Sequence, residues 1–205
     1  MIQKGAYVKD ILSKEPGTRL DAYGWVKTRR DSKGVHFVQI QDGSSPQDLQ
    51  VVIGEGRIPE DRLAHITTGA ALRVSGELVK SPAAGQAVEL KAESIEIYGA
   101  ADPATYPLQK KGHTMEFLRD ITHLRTRSNT FGSVFRVRNA LSIAIHRFFQ
   151  ENGFIYVHAP LITTSDTEGA GALFGVSTLD LMNLPRTPDG RIDFTQDFFG
   201  KQAFL

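Results

Sequence analysis

Alternation of apolar and polar residues with a period of two, repeated over the first hundred residues, most constrains what this chain can fold into. A period of two places successive side chains on opposite faces of a strand, so each such run predicts a half-buried β-strand. Short turn-forming segments separate the runs, which indicates neighbouring antiparallel strands. The predicted strands are Arg19–Arg30, Val35–Gln41, Leu49–Ile53, Ala70–Lys80 and Gln86–Tyr98.

One short helix interrupts this series of strands. Pro59–Ile66 has a proline at a plausible first helical position and acidic residues in the first turn, both of which favour a helix start. Five strands with a helix between the third and fourth is the element order of an OB-fold, a five-stranded Greek-key barrel whose exposed face commonly takes oligonucleotides. We therefore predict an all-β OB-fold over residues 1–102. The element order leaves a different small β-barrel or sandwich open.

The second half of the chain predicts a linker, a helix and an extended segment. Asp102–Thr122 has two prolines and no sustained period, so residues 103–125 are expected to form a hinge. Ser133–Asn152 carries apolar residues at helical spacing, with Thr130 or Ser133 as N-cap and Gly153 as a left-handed stop. Phe154–Ile162 reads as an edge strand ending in a proline, and such a helix and strand together indicate a dimerisation surface.

Charge and composition narrow the possible functions. The chain has 24 basic and 23 acidic residues, but residues 103–150 carry 8 basic and only 2 acidic side chains. That basic belt suits phosphate contacts, although a solvated face or pairing with acids is equally open. The absence of Cys excludes disulfides and thiol nucleophiles, and the histidines lack metal-ligand spacing. No run of apolar residues is long enough for a membrane span, so we expect a cytoplasmic protein. We also expect no prosthetic group and no metal site.

An aromatic and basic mixture on the first two strands predicts a platform for single-stranded nucleic acid. Phe37 and Gln39 share one face of their strand, while the aliphatic residues between and after them share the other. If the aliphatic face is buried, Phe37 is exposed beside Arg30, where its ring can stack on a base. The alternative is that Phe37 is an ordinary core residue. Trp25 is expected to serve packing.

Several stretches of the chain, in order, resemble one enzyme family. They are GWVKTRRDSKGVHFVQIQDGS with LQVVI, the helix with GFIYVHAP, TTSDTEGAGALF, and STLDLMNLPRTPDGRIDFTQDFFGKQAFL. Together they are similar to class IIb aminoacyl-tRNA synthetases, the aspartyl, asparaginyl and lysyl group. The last two stretches most resemble the bacterial asparaginyl subgroup. The resemblance implies that residues 126–205 begin an α+β class II catalytic domain, an antiparallel sheet with helices.

The resemblance also implies a reaction. A homodimer would use ATP and Mg²⁺ to ligate asparagine to tRNA(Asn) through an aminoacyl-adenylate, with the OB-fold binding the anticodon. The later class II signatures, with their ATP-binding arginines, would lie after residue 205, so we expect an N-terminal fragment that is inactive alone. An aspartyl-tRNA synthetase relative and a non-enzymatic OB-fold nucleic-acid-binding protein are the alternatives.

Roles for individual residues follow only from the resemblance. It implies that Phe37 stacks on the central anticodon base, that Gln50 reads the edge of that base, and that Arg30 and Glu89 support the same loop.

For the amino acid, the resemblance implies that Glu168 holds the α-amino group, with Ser165 and Gly169 in the loop around it. An ammonium group bound out of water requires such a charged partner. Pro160 would lie at the dimer interface. No catalytic residue and no metal ligand is assigned within this chain.

Overall fold

The structure is a computed structural model that describes residues 5–83, 85–164 and 173–205. Its contacts divide the chain into a first unit ending at Ile143 and a second unit beginning at Ala144. The elements are α1 (Val8–Ile11), β1 (Arg19–Ser32), β2 (Val35–Gln41), β3 (Leu49–Ile53), α2 (Glu60–Leu63), β4 (Ala71–Lys80), β5 (Val88–Gly99), α3 (Met115–Asp120), α4 (Asn129–Glu151), β6 (Gly175–Val176) and β7 (Ala203–Phe204), with 3-10 turns at Arg125–Arg127 and Phe194–Gln196.

Strands β1 to β5 form a closed barrel in the order β1-β2-β3-β5-β4, with β4 returning to β1. Every pairing is antiparallel except that of β3 with β5. With α2 between β3 and β4, this is the predicted five-stranded OB-fold. The alternating aliphatic residues fill the barrel, and the largest fully buried side chains include Val26, Val38, Ile40, Leu49, Val51, Ile53, Leu72, Leu78 and Leu90.

Two strand glycines permit the close approach of neighbouring backbones that closes the barrel. A Cβ at Gly76 in β4 would lie 2.2 Å from the carbonyl oxygen of Lys91 in β5. A Cβ at Gly24 in β1 would lie 2.7 Å from the carbonyl oxygen of Gln41 in β2. The β4–β5 register also shifts between Ser75 and Gly76. A glycine next to a bulge is typical of a sharp strand bend in a small barrel.

The short helices are where the prediction from sequence was least accurate. Helix α2 covers four residues rather than the predicted eight, and Pro59 precedes it with an extended ψ of 143°. Helices α1 and α3 were not predicted, because four to six residues are too few to display a period of 3.6. Helix α3 lies inside the predicted hinge, where Thr114 caps it by accepting a hydrogen bond from the backbone N–H of Phe117 at 3.2 Å.

Helix α4 begins at Asn129, four residues before the predicted start. Its first turn is capped by Ser128, whose Oγ accepts from the backbone N–H of Phe131 at 3.3 Å, so neither Thr130 nor Ser133 is the cap. The predicted stop is confirmed, since Gly153 has a left-handed φ of 85°.

The second unit pairs its strands differently from the prediction. The predicted edge strand Phe154–Ile162 makes no ladder, and within the described residues the pairing begins with a bridge from Thr163 to Phe204. Strand β7 then pairs with β6, Gly175 opposite Phe204. No helix in the described ranges is long and apolar enough to cross a membrane.

Candidate nucleic-acid interface

A small cavity of about 180 Å³ lies on the outer face of β1, β2 and β3. The strand register brings its walls together, since Arg30 lies opposite Phe37 and Gln39 lies opposite both Thr28 and Gln50. We call this cavity the base pocket. Its lining residues are Thr28, Arg30, Phe37, Gln39, Gln50 and Lys110.

Phe37 lies on the outside of the barrel, as the alternation in β2 predicts. Its neighbours Val38 and Ile40 are fully buried, whereas Phe37 itself is half-buried. The Arg30 guanidinium lies 5.0 Å from the centre of the Phe37 ring. An accessible aromatic face beside a cation is the arrangement that stacks an unpaired base and holds a phosphate near it.

Glu89 fixes the orientation of Gln50. Only 7% of Glu89 is exposed, and one carboxylate oxygen accepts from Gln50 Nε2 at 3.0 Å and Ser81 Oγ at 3.2 Å. The same oxygen accepts from Gln86 Nε2 at 3.3 Å. A buried carboxylate needs such donors to offset its lost hydration. Because Gln50 donates its amide N–H to Glu89, its Oε1 is the atom left to accept from a bound base.

The side-chain amide of Gln39 lies beside that of Gln50. Thr28 Oγ1 donates to Gln39 Oε1 at 2.7 Å, so the Gln39 amide N–H groups are the donors left for a bound base. The base pocket therefore combines a donor from Gln39 with an acceptor from Gln50. That pair is complementary to an adjacent acceptor and donor, which each of the four bases carries on its Watson–Crick edge.

The base pocket brings together three of the four residues predicted for the anticodon, Arg30, Phe37 and Gln50, and Glu89 lies behind Gln50. Thr28, Gln39 and Lys110 were missed as pocket residues. Alternation had already placed Gln39 on the Phe37 face, so its signal was present in the sequence. Lys110 had no such signal, because its position depends on the path of the linker.

Next to the turn between β1 and β2, the Asp31 carboxylate contacts an arginine and a histidine side chain. Arg29 Nε donates to Asp31 Oδ1 at 2.9 Å, and this hydrogen bond lowers the pKa of Asp31. His36 Nδ1 lies 2.8 Å from the same oxygen. These three side chains are therefore held by one another, on the face of β1 and β2 opposite to Phe37.

The linker and the start of α4 lie against the barrel around a cavity of about 550 Å³. The Arg127 guanidinium covers the Trp25 ring at 4.2 Å, and Trp25 is 36% exposed, so this tryptophan packs outside the core. Arg136 donates to the carbonyl oxygens of Gly43 at 2.6 Å and Ser45 at 3.0 Å. Two arginines of the basic belt therefore attach α4 to the barrel.

Lys27 joins the same contact region from the barrel side. Its Nζ pairs with Asp48 at 2.7 Å and donates to Asn129 Oδ1, the first residue of α4, also at 2.7 Å. The side chains of Lys27 and Asp48 are largely shielded, with 21% and 15% exposed. Such a shielded pair is screened less by salt than a surface pair.

The other predicted site residues have a mixed outcome. Ser165, Glu168 and Gly169 lie outside the described residues. Pro160 is exposed. Within residues 5–83, 85–164 and 173–205, no three His, Asp or Glu side chains converge on a common point that suits a metal ion.

Two family models match the chain. The model for the OB-fold nucleic acid binding domain matches residues 22–98, and the model for class II tRNA synthetases (D, K and N) matches residues 114–189. The barrel and its base pocket lie within the first match. The second match identifies residues 114–189 as part of a class II tRNA synthetase domain of the aspartate, lysine and asparagine group.

Along nearly its whole length the chain is similar to asparagine–tRNA ligases. It is 60% identical over 205 residues to the asparagine–tRNA ligase of Solibacter usitatus, covering 100% of this chain and 43% of the relative. It is 56% identical over 200 residues to that of Thermosynechococcus vestitus, covering 97% and 43%. This chain thus spans less than half the length of these relatives.

A solved structure shares the fold. The crystal structure of asparaginyl-tRNA synthetase from Pyrococcus horikoshii complexed with asparaginyl-adenylate matches with a TM-score of 0.76 at 21% identity, covering 100% of this chain and 43% of that chain.

Proposed function

We propose that this chain is part of an asparagine–tRNA ligase in which the OB-fold binds the tRNA anticodon. The observation that carries the proposal is the 60% identity to an asparagine–tRNA ligase along the whole of this chain. The base pocket supports it physically, because an aromatic ring, a cation and two oriented amides suit an unpaired base.

Within this proposal Phe37 stacks on the central anticodon base and Gln50 reads its edge. Arg30 holds the backbone beside the stacked base, and Glu89 acts through Gln50 by orienting its amide. Glu89 is 7% exposed, which suits a positioning role better than a direct contact.

The proposed reaction has two steps. The asparagine carboxylate attacks the ATP α-phosphorus, forming an adenylate as the bond to pyrophosphate breaks. A terminal ribose hydroxyl of tRNA(Asn) then attacks the adenylate carbonyl, loses its proton and displaces AMP. Ser165, Glu168 and Gly169 stay assigned to the amino acid on the family resemblance. Within residues 5–83, 85–164 and 173–205, no three Asp, Glu or His side chains are placed to hold the Mg²⁺ ion together.

We also propose that the protein is a cytoplasmic homodimer with Pro160 at the interface. Exposed apolar residues support this, since Val137, Leu141 and Phe148 of α4 and Ile155 and Val157 beyond it are each more than half exposed. Apolar surface of this extent is typical of an interface. The domain boundaries 1–102, 103–125 and 126–205 belong to the same proposal.

The decisive experiment uses the full-length protein. Aminoacylation of tRNA(Asn) is measured with asparagine and with aspartate, for wild type and Phe37→Ala. We expect charging with asparagine, and a loss of about 1–3 kcal/mol in tRNA affinity for the variant, the usual effect of removing one stacking ring.

Three outcomes would contradict parts of the proposal. Charging with aspartate would indicate the aspartyl relative, and RNA binding without charging would indicate a non-enzymatic OB-fold binding protein. Unchanged affinity of a folded Phe37→Ala variant would remove the base platform.

A further inference from the structure

Lys110 of the linker lies on the wall of the base pocket, although in the chain it is 80 residues from Arg30 and 73 from Phe37. We propose that Lys110 and Lys111 bind the RNA phosphates that flank the stacked base. This inference rests on the proposed anticodon-binding function and extends the site beyond the barrel. The linker then acts as part of the RNA-binding surface as well as a connection.

The geometry that supports this is a second cavity, of about 430 Å³, next to the base pocket. We call it the linker cavity. Thr28 and Lys110 line both cavities, so the two share a wall. A nucleotide stacked on Phe37 would therefore lie beside Lys110 and next to the linker cavity.

The charge of the linker cavity suits phosphate. Four cationic side chains line it, and no acidic side chain lines either cavity. Lys27 is neutralised by Asp48, and Arg127 covers Trp25. Lys110 and Lys111 are exposed and, within the described residues, their side chains have no ion pair or hydrogen bond. Two uncommitted ammonium groups are what an RNA backbone requires for charge neutralisation.

Packing and hydrogen bonds hold the linker that places Lys110 at the base pocket. Leu108 is buried in a small cluster with Leu118 and Phe131. Gln109 Nε2 donates to the carbonyl oxygens of Pro103 at 3.1 Å and Tyr106. These contacts position the two residues that precede Lys110 before RNA binds, which lowers the entropic cost of binding.

The first test measures binding of an RNA hairpin carrying the tRNA(Asn) anticodon loop to the full-length protein across a range of salt concentrations. Lys110→Ala and the pair Lys110→Ala/Lys111→Ala are compared with Lys14→Ala, an exposed lysine that lines neither cavity. We expect the affinity to fall about threefold to tenfold per lysine at low salt, and the salt slope to fall by about 0.7 per lost contact. Lys14→Ala is expected to leave both unchanged.

The second test replaces single loop phosphates next to the central base with uncharged methylphosphonates. At the contacted phosphate, this change should weaken wild-type binding as much as Lys110→Ala does, and have no further effect in that variant. Lys110→Arg should restore the salt slope, because it retains the charge.

The two proposals fail differently. If Phe37→Ala leaves binding unchanged, the base platform is wrong. If Phe37→Ala weakens binding but the salt slope of the lysine variants equals wild type, the phosphate site is wrong. The phosphate site would also be wrong if the affinity losses caused by Lys110→Ala and by each methylphosphonate add in full.

Discussion

At the scale of single residues, two shielded carboxylates each accept several hydrogen bonds on one oxygen. Glu89 accepts from three side chains behind the base pocket. Asp197, which is 6% exposed, accepts from the backbone N–H of Thr178 at 2.9 Å and that of Phe198 at 2.7 Å. Donors that point at a charged oxygen favour the ionised form, so the protonation state of Asp197 is coupled to local order.

The pKa of Asp197 predicts a pH dependence of stability. The backbone hydrogen bond from Thr178, followed by the Ser177 and Thr178 hydroxyls, lowers its pKa from 3.8 to about 2. Because the folded pKa lies below the unfolded one, the stabilising contribution is complete above pH 3.8 and is lost as the pH falls toward about 2.

We therefore expect Asp197→Asn to lower the urea midpoint of the full-length protein near pH 6, with the difference from wild type shrinking between pH 4 and pH 2. Asp189→Asn, an exposed carboxylate in a turn, serves as the control and should show little effect at any pH. A constant difference for Asp197→Asn over this range would contradict the assignment.

At the scale of elements, the start of α4 is attached to the barrel by polar contacts with loop carbonyls and strand side chains. Arg136 donates to two carbonyl oxygens of the loop between β2 and β3, at Gly43 and Ser45. Gln41 Nε2 donates to the carbonyl oxygen of Arg127 at 3.1 Å, just before the helix. These contacts hold the first turns of the helix against the barrel.

We expect Arg136→Ala to destabilise this attachment by about 1 kcal/mol, the usual net value of an exposed charged donor on carbonyl groups. Trp25 is the only tryptophan in the chain and lines the same cavity as Arg136, so its fluorescence reports the change. Iodide should quench Trp25 more strongly in the variant.

Arg138→Ala is the matched control for this prediction. Arg138 lies on the same helix and, within the described residues, its side chain has no hydrogen bond or ion pair. Equal quenching and equal melting of both variants would show that Arg136 does not hold the helix.

At the scale of the whole molecule, the exposed apolar residues of α4 predict self-association. Leu141 is 58% exposed, and burying such side chains against a second copy would be favourable by about 1.5–3 kcal/mol each. In the full-length protein, Leu141→Glu should weaken dimerisation by more than tenfold, about 1.4 kcal/mol, in sedimentation equilibrium.

The neighbouring Ser142→Glu adds the same charge to an exposed polar position of α4 and is the control. We expect it to change the dimerisation constant less than Leu141→Glu does. Equal effects of the two variants would indicate that charge alone, rather than a buried apolar contact, weakens association.

The sequence predicted the barrel well because its signals are local and periodic. All five strands match their predicted ranges within two residues at each end, since alternation in a strand reports directly which face is buried. The same alternation placed Phe37 and Gln39 on the outer face. Helices α1 and α3 are too short to display a period, so they were not predicted. A strand at Phe154–Ile162 was predicted, but it makes no ladder within the described residues, because a ladder needs a distant partner strand.

By itself, the sequence determined where the five strands lie along the chain, which face of β2 carries Phe37 and Gln39, and that helix α4 ends before Gly153. Only the tertiary structure decided that Lys110 reaches the base pocket, that Arg127 covers Trp25, and that Ser128 caps α4. These contacts join residues far apart in the chain or depend on the exact turn where a helix begins. No periodic pattern records them, because they follow from how the linker packs onto a barrel that is already closed.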